Sequence, residues 1–501
     1  MLPTLLDAAT PVPPVGGHVP GRQEDTMATT PGGASAQARR DPSGPSTART
    51  VLVTATAALG GFLFGFDTAV INGAVAAVGQ QFSAPPFVLG FAVASALLGC
   101  AVGAWYAGGL ADRYGRIRVM VLASVLFTVS ALGSGLAFTI WDLSFWRIVG
   151  GLGVGAASVI APAYIAEISP ARMRGRLGSL QQLAIVTGIF IALLVDYALV
   201  VLSGSATAPL WFGLETWRWM FLSEMLPAVA YGVLALTIPE SPRYLVARQD
   251  LVQAAHVLRR FVGGDVDERI REIGRTLAGR SERGGFATIL GPRAGLLPIV
   301  WVGIALSVFQ QFTGINVIFY YSTVLWQAVG FAEQDALAIT VITSVTNIAT
   351  TILAISLIDR VGRKPLLLVG AVGQFACLGV LAVLFGTAPV VDGQPTLAGT
   401  AGLVALVAAN LYVVFFGVSW GPVVWVLLGE MFNNRIRAMA LAVAAAAQWV
   451  ANFVISTTFP ALAAVGLGLA YGVYTFFAFV SIFFVVRFIR ETKGRELEEM
   501  L

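Results

Sequence analysis

The sequence predicts an all-α membrane protein, with twelve transmembrane helices in two six-helix bundles joined by a polar helical linker. Three observations carry this reading. The 501 residues are 57% hydrophobic and 12% charged, with a mean hydropathy of +0.81. A soluble chain carries roughly 25% charge and has no means of hiding so much apolar surface from water. All of the 31 Lys and Arg residues except Arg147 and Arg218 fall in the termini and in alternate connections between apolar runs. Several charged motifs also occur twice, once in each half.

Taken in order, residues 1–50 are rich in Pro, Gly, Ala, Thr and Ser and show no apolar period, so they read as a disordered tail. They lack the apolar core of a signal peptide, and Met27 offers a second possible start. Twelve apolar runs follow, each long enough for the roughly 20 residues that cross a bilayer. They lie near 52–73, 87–108, 117–138, 143–166, 176–202, 217–238, 296–322, 335–358, 365–386, 402–430, 437–459 and 465–488. The first six form an N-terminal bundle, 51–238, and the last six a C-terminal bundle, 295–488. Between them, 239–294 contains "LVQAAHVLRRFVGGDVDERIREIGRTL", whose helical apolar spacing and many charges predict short surface helices. A short tail, 489–501, ends the chain. The 55 glycines suit closely packed membrane helices.

Cations accumulate on the cytoplasmic side of a membrane protein, so both termini and the 239–294 linker are expected inside. That arrangement needs an even number of spans. The halves repeat in parallel: "DRYGR" at 112–116 recurs as "DRVGRK" at 359–364, and Glu167 with Arg174 recurs as Glu430 with Arg437. "PESPR" at 239–243 has a fainter echo in "RETKGR" at 490–495. Two parallel halves with a site between them near the midplane is a transporter layout. Other chemistries find no support. Cys100 and Cys377 sit in apolar runs without disulfide or metal spacing, and His18 and His256 are the only histidines. No GxxxxGK[ST] phosphate loop is present. No cofactor, metal site, enzyme activity or nucleic-acid partner is therefore expected.

The chain carries, in order over residues 52–495, "GFLFGFDTAVING", "GGLADRYGR", "RIVGGLGVGAASVIAPAYIAEISPARMRG", "PESPRYL", "QQFTGINVIFYYS", "DRVGRK", "SWGPVVWVLLGEMFNNRIRAMALAVAAAAQWVAN" and "RETKGR". In these it resembles the sugar porter family of the major facilitator superfamily, and within it the bacterial proton-coupled pentose and hexose symporters. The resemblance implies alternating-access uptake of a monosaccharide with a proton, in the bacterial cytoplasmic membrane, by a functional monomer. A passive uniporter and a cyclitol carrier are the alternatives. A transporter-like sensor would carry a long signalling tail, which 489–501 is not, and drug export suits an amide-rich site less well. Gly- and Ala-rich, Arg-over-Lys usage hints at a GC-rich bacterial genome.

Three groups of residues follow. Asp112, Arg116, Glu167 and Arg174, with Asp359, Arg363, Glu430 and Arg437, lie at helix ends near the inner interface, where Arg–carboxylate pairs can hold neighbouring helices together. The resemblance makes them a latch on the outward-facing conformation, joined by Glu240 and Arg243. A sugar site needs many donors and acceptors around a neutral ring, and an aromatic face. On a regular helix Gln310 and Asn316 point about 120° apart, and Gln311 and Asn316 about 140° apart. Either the helix breaks near Gly314 or these amides serve different contacts. The resemblance implies the break, with all three touching sugar. It adds Gln182, Ile189, Tyr321, Asn347, Trp425, Gln448, Trp449 and Asn452, for which packing glue worth about 0.6 kcal/mol per bond is the plain alternative. Ile189 stands where a xylose-selective relative has a second polar side chain, which suits a hexose at least as well.

The third group is ionisable. Asp67 lies in the first span, where a charge costs about 2.5–3.5 kcal/mol and needs a partner. By resemblance Asp67, Arg147 and Glu224 form a proton-coupling cluster, at whose Asp position passive carriers have a neutral residue. Asp142 and Asp196, toward the outer ends, read as wet interfacial charges.

Overall fold

A bilayer offers no partner to an exposed N–H or C=O, so apolar runs separated by charged turns must close their hydrogen bonds within helices. The computed structural model describes residues 47–170, 173–263, 265–278, 286–291, 295–328, 330–391, 394–395, 397, 399–432 and 436–493. All of these lie in one unit, Ser43–Leu501. The predicted tail before residue 47, the end after 493, and the side chains of Arg174 and Asp359 fall outside what is described.

The N-terminal spans are α1 (Thr47–Gln81), α2 (Pro86–Tyr114), α3 (Arg116–Gly135), α4 (Ile140–Ile168), α5 (Arg174–Ser203) and the pair α6 (Thr216–Ser223) and α7 (Met225–Ala235). Linker helices α8 (Pro242–Ala247), α9 (Leu251–Val257) and α10 (Val266–Ala278) follow, as the spacing predicts. The second set comprises α11 (Pro298–Phe312), α12 (Ile315–Ala328), α13 (Glu333–Val361), α14 (Arg363–Gly386), α15 (Thr400–Phe415), α16 (Gly421–Met431), α17 (Arg437–Val465) and α18 (Leu467–Phe488). A two-residue hairpin, Val390–Val391 against Gln394–Pro395, joins α14 to α15.

Among the described residues eleven helical stretches are long and apolar enough to cross a membrane. The sixth predicted span makes the twelfth, but it is interrupted at Glu224 between α6 and α7. Pro227 explains the interruption, since it has no N–H for the Ser223 carbonyl four residues back. The seventh span breaks between α11 and α12 at Gly314, whose φ is +87°. The tenth widens into a π-turn, Phe416–Trp420, between α15 and α16.

Within the first half α1 packs on α5, α2 on α4, and α3 on α4 and α7. Within the second, α14 packs on α18 and α15, and α11 on α17. Across the halves α2 meets α17, α5 meets α13, and α1 meets α12. The α1–α5 crossing depends on two glycines. A Cβ on Gly65 would overlap the Ile185 carbonyl, and one on Gly188 the Phe62 carbonyl. Filling such a contact costs about 1–3 kcal/mol. Gly188→Leu is therefore expected to lower the melting temperature in detergent and broaden the size-exclusion peak. Gly108→Ala, where a Cβ meets nothing within 4 Å, should leave both unchanged.

Candidate functional site

Three spans bring one base and two acids together in the interior. Asp67 comes from the middle of α1, Arg147 from the second turn of α4, and Glu224 from the break between α6 and α7. All are at most 2% exposed. Arg147 Nη1 lies 3.6 Å from Asp67 Oδ1 and donates to the main-chain carbonyl of Asp67 at 3.2 Å. Its guanidinium sits over the Phe221 ring, 5.9 Å from the centroid. Glu224 lies within electrostatic reach of both partners. Satisfaction is incomplete: Asp67 Oδ2, Arg147 Nε and Glu224 Oε1 make no hydrogen bond. A buried pair so loosely bonded recovers little of its desolvation cost and is easily rearranged. Two carboxyl groups and one guanidinium balance electrically when the set holds one proton.

The break at Gly314 does what a straight helix could not. It turns Asn316 back so that its Nδ2 donates to Gln311 Oε1 at 2.5 Å. Gln310 joins the same chain of amides. Its Nε2 donates to the carbonyls of Trp420 (2.8 Å) and Gly421 (3.3 Å), and its Oε1 accepts from Gln311. It thus ties the broken span to the π-turn while staying bonded to Gln311, so the three amides lie together. Tyr321 is 1% exposed and donates to the Ser456 carbonyl at 2.8 Å. Asn452 accepts from Ser456 Oγ and is bonded to the Tyr320 hydroxyl, so α12 is stitched to α17. Asn347 is buried beside Gly417. Ile189 packs on the core, and Trp449 lies against Phe64 across the halves, with ring centroids 5.8 Å apart. Gln182 and Gln448 are half-buried and Trp425 is 43% exposed. Among the described residues no hydrogen bond joins these last three to the Gln311–Asn316 pair.

At the cation-rich end the internal repeat becomes geometry. Arg116 grips Glu167 through Nε and Nη2, both at 3.0 Å, and Nη2 lies 3.2 Å from Asp112. Glu167 also accepts from Ser241, while Glu240 accepts the backbone amides of Arg116 and Ile117 and so caps α3. In the second half Arg363 grips Glu430 at 3.0 and 2.7 Å, Thr492 donates to Glu430, and Glu491 accepts the amides of Arg363 and Lys364. Gly115 (φ +98°) and Gly362 (φ +104°) precede the two arginines, and a Cβ on either would strike the capping carboxylate. Arg437 Nε and Nη2 both donate to the Phe432 carbonyl at 3.1 Å, closing the end of α16, and among the described residues no hydrogen bond or ion pair joins Arg437 to Glu430. Arg243 lines a cavity with Glu167, Arg269 and Glu272.

The family model for sugar (and other) transporters matches residues 53–501. The chain belongs to the sugar transporter family. It is 61% identical over 452 residues to a glucose transport protein of Synechocystis, covering 90% of this chain and 96% of that one. It is 39% identical over 483 residues to a D-xylose-proton symporter of Escherichia coli, covering 89% and 94%. A partially occluded inward-open structure of the xylose transporter XylE from E. coli superposes with a TM-score of 0.76 at 37% identity, over 90% of this chain and all of that one.

In this sugar transporter the end opposite the cations is tied across the halves. Asn72 of α1 donates to the Phe319 carbonyl (2.9 Å) and Ser322 Oγ (3.0 Å) of α12, and accepts from the Thr323 amide and hydroxyl. Glu333, at the start of α13, accepts the Ala206 amide at 3.1 Å. Asp142, at the start of α4, is half-buried and accepts from the Phe138 amide. Asp196 is not interfacial: it is 0% exposed, because α5 turns that face onto α1, where Oδ2 accepts the Gly73 amide at 3.2 Å.

Sequence reading missed Ser241, Glu491, Thr492 and Asn72. The first three had a signal, since "PES" and "RET" each put an acid before a hydroxyl residue. Glu491 also gives a pH prediction. Burial pushes its carboxyl up, but the amides of Arg363, Lys493, Lys364 and Thr492 outweigh this and hold it below the usual glutamate value. A carboxyl depressed in the fold stabilises above its unfolded value and loses that contribution as pH falls through the folded one. The melting temperature of Glu491→Gln is expected to lie below the parent's at neutral pH, with the gap closing in acid. A gap that is the same at every pH would rule this out.

Proposed function

We propose that this transporter carries a monosaccharide, hexose or pentose, into a bacterial cell together with one proton, by alternating access. The observation that carries the reading is the buried, incompletely bonded set Asp67, Arg147 and Glu224 in a sugar-transporter fold, electrically balanced by a single proton. The named relatives, a glucose transport protein and a D-xylose-proton symporter, support the substrate class and the coupling. The cation-rich end faces the cytoplasm with both termini, and the Asn72 end faces the periplasm.

In the cycle, a proton reaching Asp67 from the periplasm weakens its hold on Arg147. With sugar bound, the halves then rock so that the site opens inward. Sugar leaves, the proton follows, and the Asp67–Arg147 pair re-forms. Gln311 and Asn316, held together by the break, hydrogen-bond the sugar with Gln182, Asn347, Gln448 and Asn452, while Trp425 and Trp449 offer aromatic faces. Gln310 and Tyr321 act by positioning those spans. Ile189 leaves room for a hexose. The two Arg–Glu grips keep each half rigid while it moves. Glu167 and Glu430 are also the carboxylates that Arg174 and Arg437 would meet when the cytoplasmic side closes. The protein works as a monomer in the cytoplasmic membrane.

Asp67→Asn keeps the shape of the side chain and removes its proton. In energised vesicles it is expected to abolish sugar accumulation while leaving counterflow exchange near the parent level. Sugar addition should alkalinise an unbuffered medium with the parent and not with the variant. Undiminished accumulation by Asp67→Asn would overturn the reading.

A further inference from the structure

The cycle above makes no use of Asp196, and its surroundings are unusual for a carboxyl group. Oδ2 has one donor, the Gly73 amide, and Oδ1 has none. The charged groups on the elements packed around this part of α5 are engaged elsewhere or exposed. On α1, Asp67 faces Arg147 of α4. Asp142 of α4 is half-buried and holds the Phe138 amide, and Arg218 of α6 holds Glu215 and the carbonyls of Gly135 and Ala137. Glu224 belongs to the Asp67 cluster, Glu333 of α13 holds the Ala206 amide, and Asp335 is exposed. Among the described residues no ion pair reaches Asp196, and its one hydrogen bond comes from the Gly73 amide. Burying a carboxylate with one amide and no cation costs several kcal/mol, whereas the neutral acid is tolerated.

The position of this group gives that cost a consequence. Gly73, which Asp196 holds, directly follows Asn72, whose side chain makes the tie to α12. α5 itself packs across the halves on α13. On the transport reading, opening the periplasmic side parts α1 and α5 from α12 and α13. Proton exchange at Asp196 requires that this opening admits water to it and that closing buries the carboxyl again.

Resting on the transport reading above, we propose that Asp196 is a second proton-binding site, separate from the Asp67 cluster, that couples external acidity to closure of the periplasmic side. The carboxylate takes a proton from the periplasmic water before the Asn72 tie forms. It returns the proton to the same side when the tie opens, so no net charge crosses through it.

Asp196→Asn separates this from a structural role, because an amide oxygen still accepts the Gly73 N–H but does not titrate. The test uses the full chain in proteoliposomes, with spin labels on cysteines placed at Thr207 and Gln334, either side of the tie. The background is Asp67→Asn, so that the coupling acid does not contribute. One linked proton changes an equilibrium by up to about tenfold per pH unit. The open-to-closed ratio is expected to fall with that slope toward acid in the background protein, and to lose it when Asp196→Asn is added. Equal slopes in both would overturn the proposal. Asp196→Ser serves the same purpose if the Asn variant does not fold. Sugar-driven proton uptake by the parent, measured separately, tests the symport reading: its absence would sink that reading while the pH slope still decides Asp196.

Discussion

Everything in this molecule answers to the rule that a polar group inside a bilayer must find its partner within the protein. The rule forces continuous helices, and it gives each interruption a reason to exist. The interruptions at Gly314, Glu224 and Phe416–Trp420 all lie where ionisable or amide side chains gather. Gln310 shows how one is made safe: its amide donates to the Trp420 and Gly421 carbonyls at the π-turn of the tenth span. A break in one helix is thereby used to satisfy a break in another, and Gln311 and Asn316 are left to face each other.

Most of the architecture was legible because it rests on one-dimensional quantities. Span length, cation placement and motif repetition need no knowledge of contacts, and they led to twelve spans and the linker helices, while the family resemblance supplied the Asp67–Arg147 partnership. What was not legible depended on which way a face turns. Asp196 stands near the end of an apolar run, as an interfacial acid would, and only the close α1–α5 crossing at Gly65 and Gly188 reveals that its face is covered. Asn72 looked like one more small polar residue, yet its amide spans to the other half. Arg437 was paired with Glu430 by spacing, but spacing does not say that Arg363 reaches that carboxylate from a neighbouring helix. The Pro227 interruption could have been read in advance, since a proline three residues after a buried acid frees the carbonyl before that acid.

The two ends of the protein are built on different plans. At the cation-rich end each Arg–Glu grip closes on helices of its own half, with a capping glutamate and a hydroxyl residue completing the same pattern twice. At the other end the bonds run between halves, through Asn72 and Glu333. The first plan makes rigid bodies and the second joins them. A rocking motion needs both, because a bond between halves can transmit a change only if each half resists deformation.

The three interior acids show how one residue class acquires different tasks from its neighbours. Asp67 has a guanidinium beside it, so gaining or losing a proton changes an ion pair. Glu224 sits at a helix break within reach of the same guanidinium, so it competes with Asp67 for one positive charge. Among the described residues Asp196 has a single amide and no cation beside it, so burial is what opposes its charge. A group opposed by burial responds to whatever opens or closes the space around it, and the space around Asp196 is bounded by the helix that carries Asn72. The first two acids are arranged to exchange charge with a partner, and the third is arranged to report whether the door beside it is shut.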